Sequence, residues 1–261
     1  MIARLHLLLS LLSSLLTTTT FAKRTPLSLQ WAICDTDPST VLQKLYYPPH
    51  PPPHKIQNIT YFDLSPPNYT AHGLGLRTKL HKHVPISLVK VRFHNKTDVP
   101  DELAECKWDR YGNMSLFTCG VPSPLVEGQP VWSDAQIKFA TRYHPEIQWD
   151  RLVPYGPFLN PKWKIRIKDR IAVFDSVEVV LPLSGKKVHL MEVEIGIKGK
   201  KVKKGDKYYR KFTKHLEKRG VVICEEPQLP KTLRLFEALA KDNEERKEEM
   251  MFGEVQQRLL S

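Results

Sequence analysis

Alternation between apolar and basic residues is the clearest pattern in the chain, and it predicts β-strands with one polar face. The cleanest example is the run KWKIRIK at residues 162–168, in which lysine or arginine takes every second position. The basic residues are Lys162, Lys164, Arg166 and Lys168, and the apolar residues are Trp163, Ile165 and Ile167. By itself this pattern fits a surface strand whose cations point into water.

A predicted hairpin earlier in the chain has the same alternation in both arms. Its basic residues are Arg77 and Lys79 in the first arm and Lys90 and Arg92 in the second. A turn centred on residues 82–85 would place Arg77 roughly opposite Lys90. Like charges directly across an antiparallel pair repel, so a half-buried hairpin of this kind needs an anion or facing carboxylates to compensate. A solvated lysine face is the alternative.

Two later stretches, Ile171–Leu181 and Lys187–Ile197, are also predicted strands. In the second strand, Glu192 and Glu194 share one side, and the apolar residues that alternate with them form the other. The two carboxylates suit salt bridges to cations or water, and they also suit metal ligation or general acid–base roles. Because nearby cations lower the pKa of a carboxyl group, ligation is favoured over proton donation.

Helices are predicted where the pattern changes to a period near 3.6 or where a capping residue precedes it. They lie at residues 133–143 with Ser133 as N-cap, at residues 208–219 before Gly220, and from residue 231 onward. The stretch Trp149–Lys162 is rich in proline, glycine and aromatic residues, and it is predicted to be an ordered loop.

Six short blocks occur in a recognisable order along the chain. They are Tyr61-Phe62-Asp63, Gly75-Leu76-Arg77-Thr78-Lys79, Leu88-Val89-Lys90-Val91-Arg92, Phe174-Asp175-Ser176-Val177, Met191-Glu192-Val193-Glu194-Ile195, and Pro230 to Leu239. In this order and at similar spacing, the blocks resemble those of the CYTH-like, or triphosphate tunnel metalloenzyme, superfamily. The resemblance covers roughly residues 27–240.

The resemblance implies an α+β fold built on a mainly antiparallel β-barrel of about eight strands, with flanking helices. In such a barrel the polar side of each strand faces a tunnel that grips a polyphosphate, so the cations of KWKIRIK would point inward. The implied ligand-binding residues are Arg77, Lys79, Lys90, Arg92, Lys164 and Arg166. Glu192 and Glu194 would hold Mg²⁺ or Mn²⁺. The barrel domain is expected over residues 23–240, followed by a charged helical extension at residues 241–261.

The first predicted strand departs from this family pattern. The family has a Glu-x-Glu pair there, whereas Leu27–Cys34 contains no carboxylate. Losing a pair should weaken and reposition a metal. The leading hypothesis is binding of an anionic, phosphorylated ligand in a basic tunnel, with metal-dependent triphosphate hydrolysis as its enzymatic version. The alternatives are a catalytically silent binding or interaction protein, and a non-hydrolytic enzyme that uses the cavity.

The N-terminus has the parts of a secretory signal peptide. Arg4 supplies a positive start, Leu7–Leu16 is an apolar run interrupted only by serine, and residues 20–22 form a small-residue end. We therefore predict that residues 1–22 are removed and that the protein is secreted. The apolar run is too short to span a bilayer, and no later stretch approaches the roughly twenty apolar residues that a transmembrane helix needs.

Four cysteines in a secreted chain predict two disulfides, for which three connectivities exist. A hairpin that turns at residues 111–113 would place Cys106 across from Cys119 and Trp108 across from Phe117. This pairing leaves Cys34 for Cys224. A bridge that closes so long a loop is worth about 4 to 5 kcal/mol on the chain-entropy model. The cysteine spacing does not suit zinc.

Four N-x-S/T sequons agree with secretion, and they begin at Asn58, Asn68, Asn95 and Asn113. The net charge of +12 agrees with a cationic interior, although composition does not say whether the bases lie inside or outside. The basic run at residues 198–204 is predicted to be a solvated loop. No specific nucleic-acid partner is expected, because aromatic stacking partners and a nucleic-acid-binding fold are both missing.

Overall fold

The computed structural model describes residues 25–45, 51–81, 83–94, 104–198 and 204–244. In this part of the chain nine strands form a closed barrel. The strands are β1 Leu27–Ile33, β2 Lys55–Asp63, β3 Leu74–His81, β4 Val84–Phe93, β5 Glu105–Tyr111, β6 Met114–Pro124, β7 Val153–Ile167, β8 Arg170–Val180 and β9 Lys187–Ile197. The predicted barrel is therefore confirmed, with nine strands where about eight were expected.

Neighbouring strands follow the order β1-β5-β6-β4-β3-β2-β7-β8-β9 around the barrel. The pairing of β1 with β9 closes it, with Leu27 opposite Ile197 and Ile33 opposite Met191. The pairs are antiparallel except for β1 and β5, which run parallel. Because the sheet closes on itself, side chains at alternate positions of every strand point into one interior.

Helices cover the outside of the barrel and one of its ends. The helices are α1 Pro38–Leu45, α2 Asp134–Tyr143, α3 Gly205–Lys218 and α4 at residues 231–244, and a 3-10 turn spans Trp149–Arg151. The predicted N-cap of α2 is confirmed as a capping box, because the Ser133 hydroxyl accepts from the Gln136 backbone and the Gln136 side chain accepts from the Ser133 backbone.

Two apolar cores lie on the outer surface of the barrel. Outward residues of β1, β7, β8 and β9 pack under α1 and α3, where the Trp31 ring stacks on Tyr209 at 4.8 Å between ring centroids. Outward residues of β3, β4 and β6 pack under α2, against Phe139 and Ala140. Since the outward positions are apolar, the period of two along each strand turns the polar positions toward the interior.

A third apolar cluster closes one end of the interior. Leu235, Phe236 and Leu239 of α4 pack against inward residues of β2, β8 and β9, which include Ile59 and Val177. The start of α4, at residues 230–232, lines the interior just beyond this cluster. The barrel interior is therefore a pocket that is closed at the α4 end.

The predicted loop at Trp149–Lys162 is wrong, because β7 begins at Val153. Residues 153–161 pair with β2 along one edge, and pairing with β8 starts only at Lys162. Proline lacks a backbone N–H and is tolerated in a strand where one edge is unpaired. Three prolines in the first half of β7 therefore hid a strand that the sequence pattern did not indicate.

The predicted register of the β3–β4 hairpin is wrong by two residues. Arg77 lies opposite Leu88, and Gly75 lies opposite Lys90, because the turn falls between His81 and Val84. A side chain at Gly75 would meet the Arg92 guanidinium at 3.4 Å. The cations are therefore staggered along the hairpin, with a glycine making room for them.

Both predicted disulfides are confirmed. Cys106 bonds to Cys119 across the β5–β6 hairpin, where Trp108 also lies opposite Phe117 as predicted. Cys34 bonds to Cys224, which ties the end of β1 to the segment that follows α3.

Several predictions fall on residues outside the described ranges. These are the signal peptide at residues 1–22, the sequon at Asn95, most of the basic run at residues 198–204, and the extension beyond residue 244. In the part that the structure describes, no helix has the length and apolar character needed to cross a membrane.

The two disulfides should differ in their contribution to stability. The Cys34–Cys224 bridge joins residues 190 apart, whereas the Cys106–Cys119 bridge joins residues 13 apart. Because the longer loop loses more entropy when it is closed, replacing the first pair by alanine should lower the free energy of unfolding by about 5 kcal/mol, against about 3 kcal/mol for the second pair. Urea denaturation of the two double variants measures this, and an equal loss would contradict the loop-length argument.

Candidate functional site

Six cationic side chains and four carboxylates line one cavity of about 100 Å³ in the barrel interior. The cations are Arg77, Lys90, Arg92, Lys107, Lys162 and Lys231, and the carboxylates are Asp109, Asp175, Glu192 and Glu194. They come from six strands and from the start of α4, so distant parts of the sequence meet there. The cavity is strongly polar and carries an excess of basic groups.

Three of these cations come from the β3–β4 hairpin, as the alternation predicted: Arg77, Lys90 and Arg92. The Nε atom of Arg77 and the Nη1 atom of Arg92 are buried and have no hydrogen-bond partner among the described residues. Buried polar atoms are nearly always paired in proteins, because an unpaired one loses its hydration without compensation. Both arginines line the cavity, and these two atoms are polar groups that the described part of the protein leaves without a partner.

Two lysines near these arginines have lowered pKa values. Burial, reinforced by Arg77 and Lys107, holds the pKa of Lys90 well below its usual range. Lys79 lies toward the open end, and Arg77 together with burial lowers its pKa to about 7. The positive charges thus disfavour one another, and an anion among them would favour the charged form of both lysines.

One set of carboxylates is paired with Lys107 of β5. The Lys107 Nζ atom lies 2.9 Å from Asp109 Oδ1 and 3.0 Å from Glu194 Oε1. Ser28 of β1 also donates to Glu194 at 2.5 Å, and Gln30 donates to Asp109 at 2.6 Å. Burial acts to raise the pKa of Glu194, but Lys107 and the Ser28 hydrogen bond lower it to about 2. Glu194 is therefore an anion that already has a cation and a donor.

A second set of carboxylates surrounds Lys231 at the start of α4. Lys231 donates to Asp175, and its Nζ atom lies 3.5 Å from Glu192 Oε2. Lys162 pairs with the other oxygen of Asp175 at 2.9 Å. Burial raises the pKa of Glu192, although Arg234 partly opposes this effect. Burial and then Lys162 lower the pKa of Lys231.

The carboxylates do not provide a fitting site for a divalent metal. A hard cation needs several free oxygen ligands. Lys107 contacts Asp109 and Glu194, and Lys231 contacts Asp175 and Glu192 Oε2, which leaves Glu192 Oε1 as a buried carboxylate oxygen without a hydrogen-bond partner among the described residues. On β1, the inward residues opposite Glu194 and beside it are Gln30 and Ser28, whose side chains donate to carboxylates. Within the described residues, no cluster of three or more acidic, histidine or cysteine side chains has a metal-binding arrangement.

The predicted site residues fall into three groups in the structure. Arg77, Lys90, Arg92, Glu192 and Glu194 line the cavity, and Lys79 lies at its open side. Lys164 and Arg166 are exposed and do not line the cavity. They follow Lys162 on the same side of β7, about 7 and 13 Å farther along the strand. The alternation identified which side of β7 carries the basic residues, but it did not indicate how far along the barrel each of them lies.

Several cavity residues were not predicted as site residues. Asp175 and Lys231 were present in the quoted blocks, where the resemblance could have drawn attention to them. Lys107 and Asp109 alternate with Cys106 and Trp108 in the β5–β6 hairpin, so the period of two places them on one face. No local signal showed that this face points into the barrel, because that depends on the pairing of β5 with β1.

Comparison with known proteins gives similarity only at the level of solved structures. A provisional adenylyl cyclase from Hippeastrum with a dominant triphosphatase activity is 11% identical, with a TM-score of 0.49, over 81% of this chain and 94% of that one. A Bacillus halodurans protein provisionally named an adenylate cyclase is also 11% identical, with a TM-score of 0.49, over 83% of this chain and 100% of that one.

A protein from Pyrococcus horikoshii is 16% identical, with a TM-score of 0.41, over 83% of this chain and 99% of that one. No protein-family model and no curated protein sequence matches the chain. Similarity at these TM-scores is too low to support a functional argument, so the residues of the cavity must carry it.

The lowered pKa of Lys79 should make stability increase with pH. The folded protein releases this proton near pH 7, whereas an unfolded lysine keeps it up to its ordinary value of 10.5. Between these values the unfolded state binds more protons, so the free energy of unfolding should rise with pH. Lys90 and Lys231 contribute in the same direction.

Replacing Lys79 by methionine should therefore reduce the slope of stability against pH in this range. Urea denaturation at intervals between pH 7 and 10 measures the slope. Lys164→Met, the same change at an exposed lysine, is the matched control and should leave the slope as it is in the parent. Equal slopes in the parent and Lys79→Met would show that Lys79 is not perturbed.

Proposed function

We propose that the barrel binds a phosphate-type anion in its inner cavity, between Arg77, Lys90 and Arg92. The observation that carries this proposal is the pair of buried guanidinium donors without partners, Arg77 Nε and Arg92 Nη1. Guanidinium groups match the oxygens of phosphate in geometry as well as in charge. A tetrahedral oxyanion in the cavity would supply several acceptors at once to Arg77, Lys90 and Arg92, which all line it.

The charge balance of the cavity supports the same proposal. Lys107 is matched by Asp109 and Glu194, and Lys162 and Lys231 are matched by Asp175 and Glu192. The basic residues of the β3–β4 hairpin form no salt bridge with a carboxylate among the described residues. They are Arg77, Lys79, Lys90 and Arg92. Their mutual repulsion lowers lysine pKa values, and an entering anion would relieve that repulsion.

The anion is proposed to bind without a divalent metal. The usual role of a metal beside a phosphate is to neutralise its charge and hold its oxygens. Here the arginine and lysine side chains already supply positive charge, and Lys107 and Lys231 lie against the carboxylates that could hold a metal, although Glu192 Oε1 has no hydrogen-bond partner among the described residues. Binding is thus the function that the residues support, and we derive no hydrolytic step.

Secretion and glycosylation also belong to the proposal. The apolar leader at residues 1–22 indicates export, and the two disulfides are compatible with an oxidising compartment. The sequon asparagines Asn58, Asn68 and Asn113 are exposed, as glycan attachment requires.

Removing either of the guanidinium groups that carry these donors should weaken anion binding. Arg77→Met and Arg92→Met should each lower the affinity for inorganic phosphate and pyrophosphate by about tenfold or more, because a charge-assisted hydrogen bond and a full charge are lost. Isothermal titration calorimetry measures the affinity. The matched control is Arg166→Met, which removes an exposed arginine outside the cavity.

The melting temperatures of the same variants test whether the loss is specific. Arg77→Met and Arg92→Met should be at least as stable as the parent without ligand, because each removes a repelling cation. The proposed site would be refuted if Arg166→Met lost as much affinity as the two cavity variants. It would also be refuted if the two cavity variants lost none.

Metal independence can be tested on the unmodified protein. The affinity for pyrophosphate should stay within about twofold whether the buffer contains a chelator, Mg²⁺ or Mn²⁺, since the carboxylates are occupied by lysine side chains. Calorimetry gives the affinities, and phosphate release from inorganic triphosphate is followed in the same samples. Much tighter binding with metal, or release of phosphate that the chelator stops, would overturn this part of the proposal.

A further inference from the structure

A second, larger cavity opens directly from the inner one. It has a volume of about 960 Å³ and lies between β3, β4, β5 and β6 at the end away from α4. Arg77, Lys90 and Lys107 line both cavities, so the two are continuous. We call this larger space the vestibule.

The walls of the vestibule differ from those of the inner cavity. Apolar residues line much of the vestibule: Ile86 and Leu88 of β4, Pro122 and Pro124 of β6, and Pro26 before β1. Charged and polar residues also line it, among them Lys79, His81, Glu105, Thr118 and Ser123. Ile86 and Leu88 are 8% and 7% exposed, so the apolar wall that they form presents a small part of each side chain to the vestibule. This wall continues along β4 directly to Lys90, since inward positions follow one another at every second residue.

The sizes of the two cavities suit different parts of one ligand. The inner cavity of about 100 Å³ is small, strongly polar and lined by six cations, which suits one phosphoryl group. The vestibule of about 960 Å³ is in the upper part of the range for organic ligands, and such sites are mainly apolar with a few polar groups that fix orientation. An inorganic anion would leave the vestibule unused.

We infer that the ligand is a phosphomonoester with an apolar or aromatic body, whose head lies in the inner cavity and whose body packs on Ile86, Leu88 and Pro122. This inference rests on the proposed function, because it takes the phosphate site as given and adds the second half of the ligand. The arrangement favours an amphipathic occupant, since the charged and apolar walls meet at Lys90. Burial of the body then adds hydrophobic free energy to the electrostatic attraction of the head.

The test compares ligands that share one head but differ in their bodies. Inorganic phosphate, phenyl phosphate and 1-naphthyl phosphate are titrated calorimetrically at one pH, with 1-naphthol as the uncharged control. We expect affinity to rise in that order, with 1-naphthyl phosphate at least about tenfold tighter than inorganic phosphate, because a buried aromatic ring removes a large apolar area from water. 1-Naphthol should bind far more weakly than its phosphate.

Variants of the apolar wall locate the added affinity. Leu88→Asn, and Ile86→Thr as a second variant that keeps a β-branched side chain, should lose most of the gain for 1-naphthyl phosphate while keeping the affinity for inorganic phosphate. Leu80→Asn is the matched control, because Leu80 is 40% exposed and alternates with the inward residues of β3. Thermal melting confirms which variants are folded before they are compared.

The outcomes separate this inference from the proposed function. Equal affinity for inorganic phosphate and 1-naphthyl phosphate would overturn the inference and leave the anion site in place. Binding of 1-naphthol as tight as that of its phosphate, or a full gain retained in folded Leu88→Asn and Ile86→Thr, would also overturn it. If no phosphate binds at all, the proposed function itself fails.

Discussion

Repulsion among buried cations governs the interior of this barrel. The apolar positions of the strands are taken up by the outer cores under α1, α2 and α3, so the alternating pattern leaves the polar positions inside. Carboxylates on β5, β8 and β9 match the cations Lys107, Lys162 and Lys231. The charges of the β3–β4 hairpin have no such match among the described residues, and burial, reinforced by Arg77 and Lys107, holds the pKa of Lys90 well below its usual range. This arrangement leaves the cavity with more basic than acidic side chains, and the proposed anion would balance them.

The local part of the structure could be predicted from sequence because it depends on near neighbours along the chain. A period of two correctly placed Arg77, Lys90 and Arg92 on one face, and it separated Glu192 and Glu194 from the apolar residues between them. The Ser133 capping box and the β5–β6 disulfide hairpin were accessible for the same reason. Each of these features is fixed within about a dozen residues.

The rest of the site depends on contacts between distant segments. Lys231 comes from a helix that follows the barrel by more than thirty residues in sequence, and Lys107 reaches Glu194 from a strand on the other side of β1. The first half of β7 was hidden because its prolines are compatible with a strand only where one edge is unpaired, and only the complete sheet reveals that edge. Lys164 and Arg166 show the limit of a local pattern. They lie on the same side of β7 as Lys162, but too far along the strand to line the cavity.

The cap that α4 places on one end of the barrel has a consequence for entry and exit. Leu235, Phe236 and Leu239 fill that end of the barrel. A ligand would therefore enter and leave through the opposite, open end, beside Lys79. A long polymer could not be threaded through from one side to the other. For the proposed phosphomonoester, entry from the Lys79 end alone would mean that the charged group goes in first and leaves last.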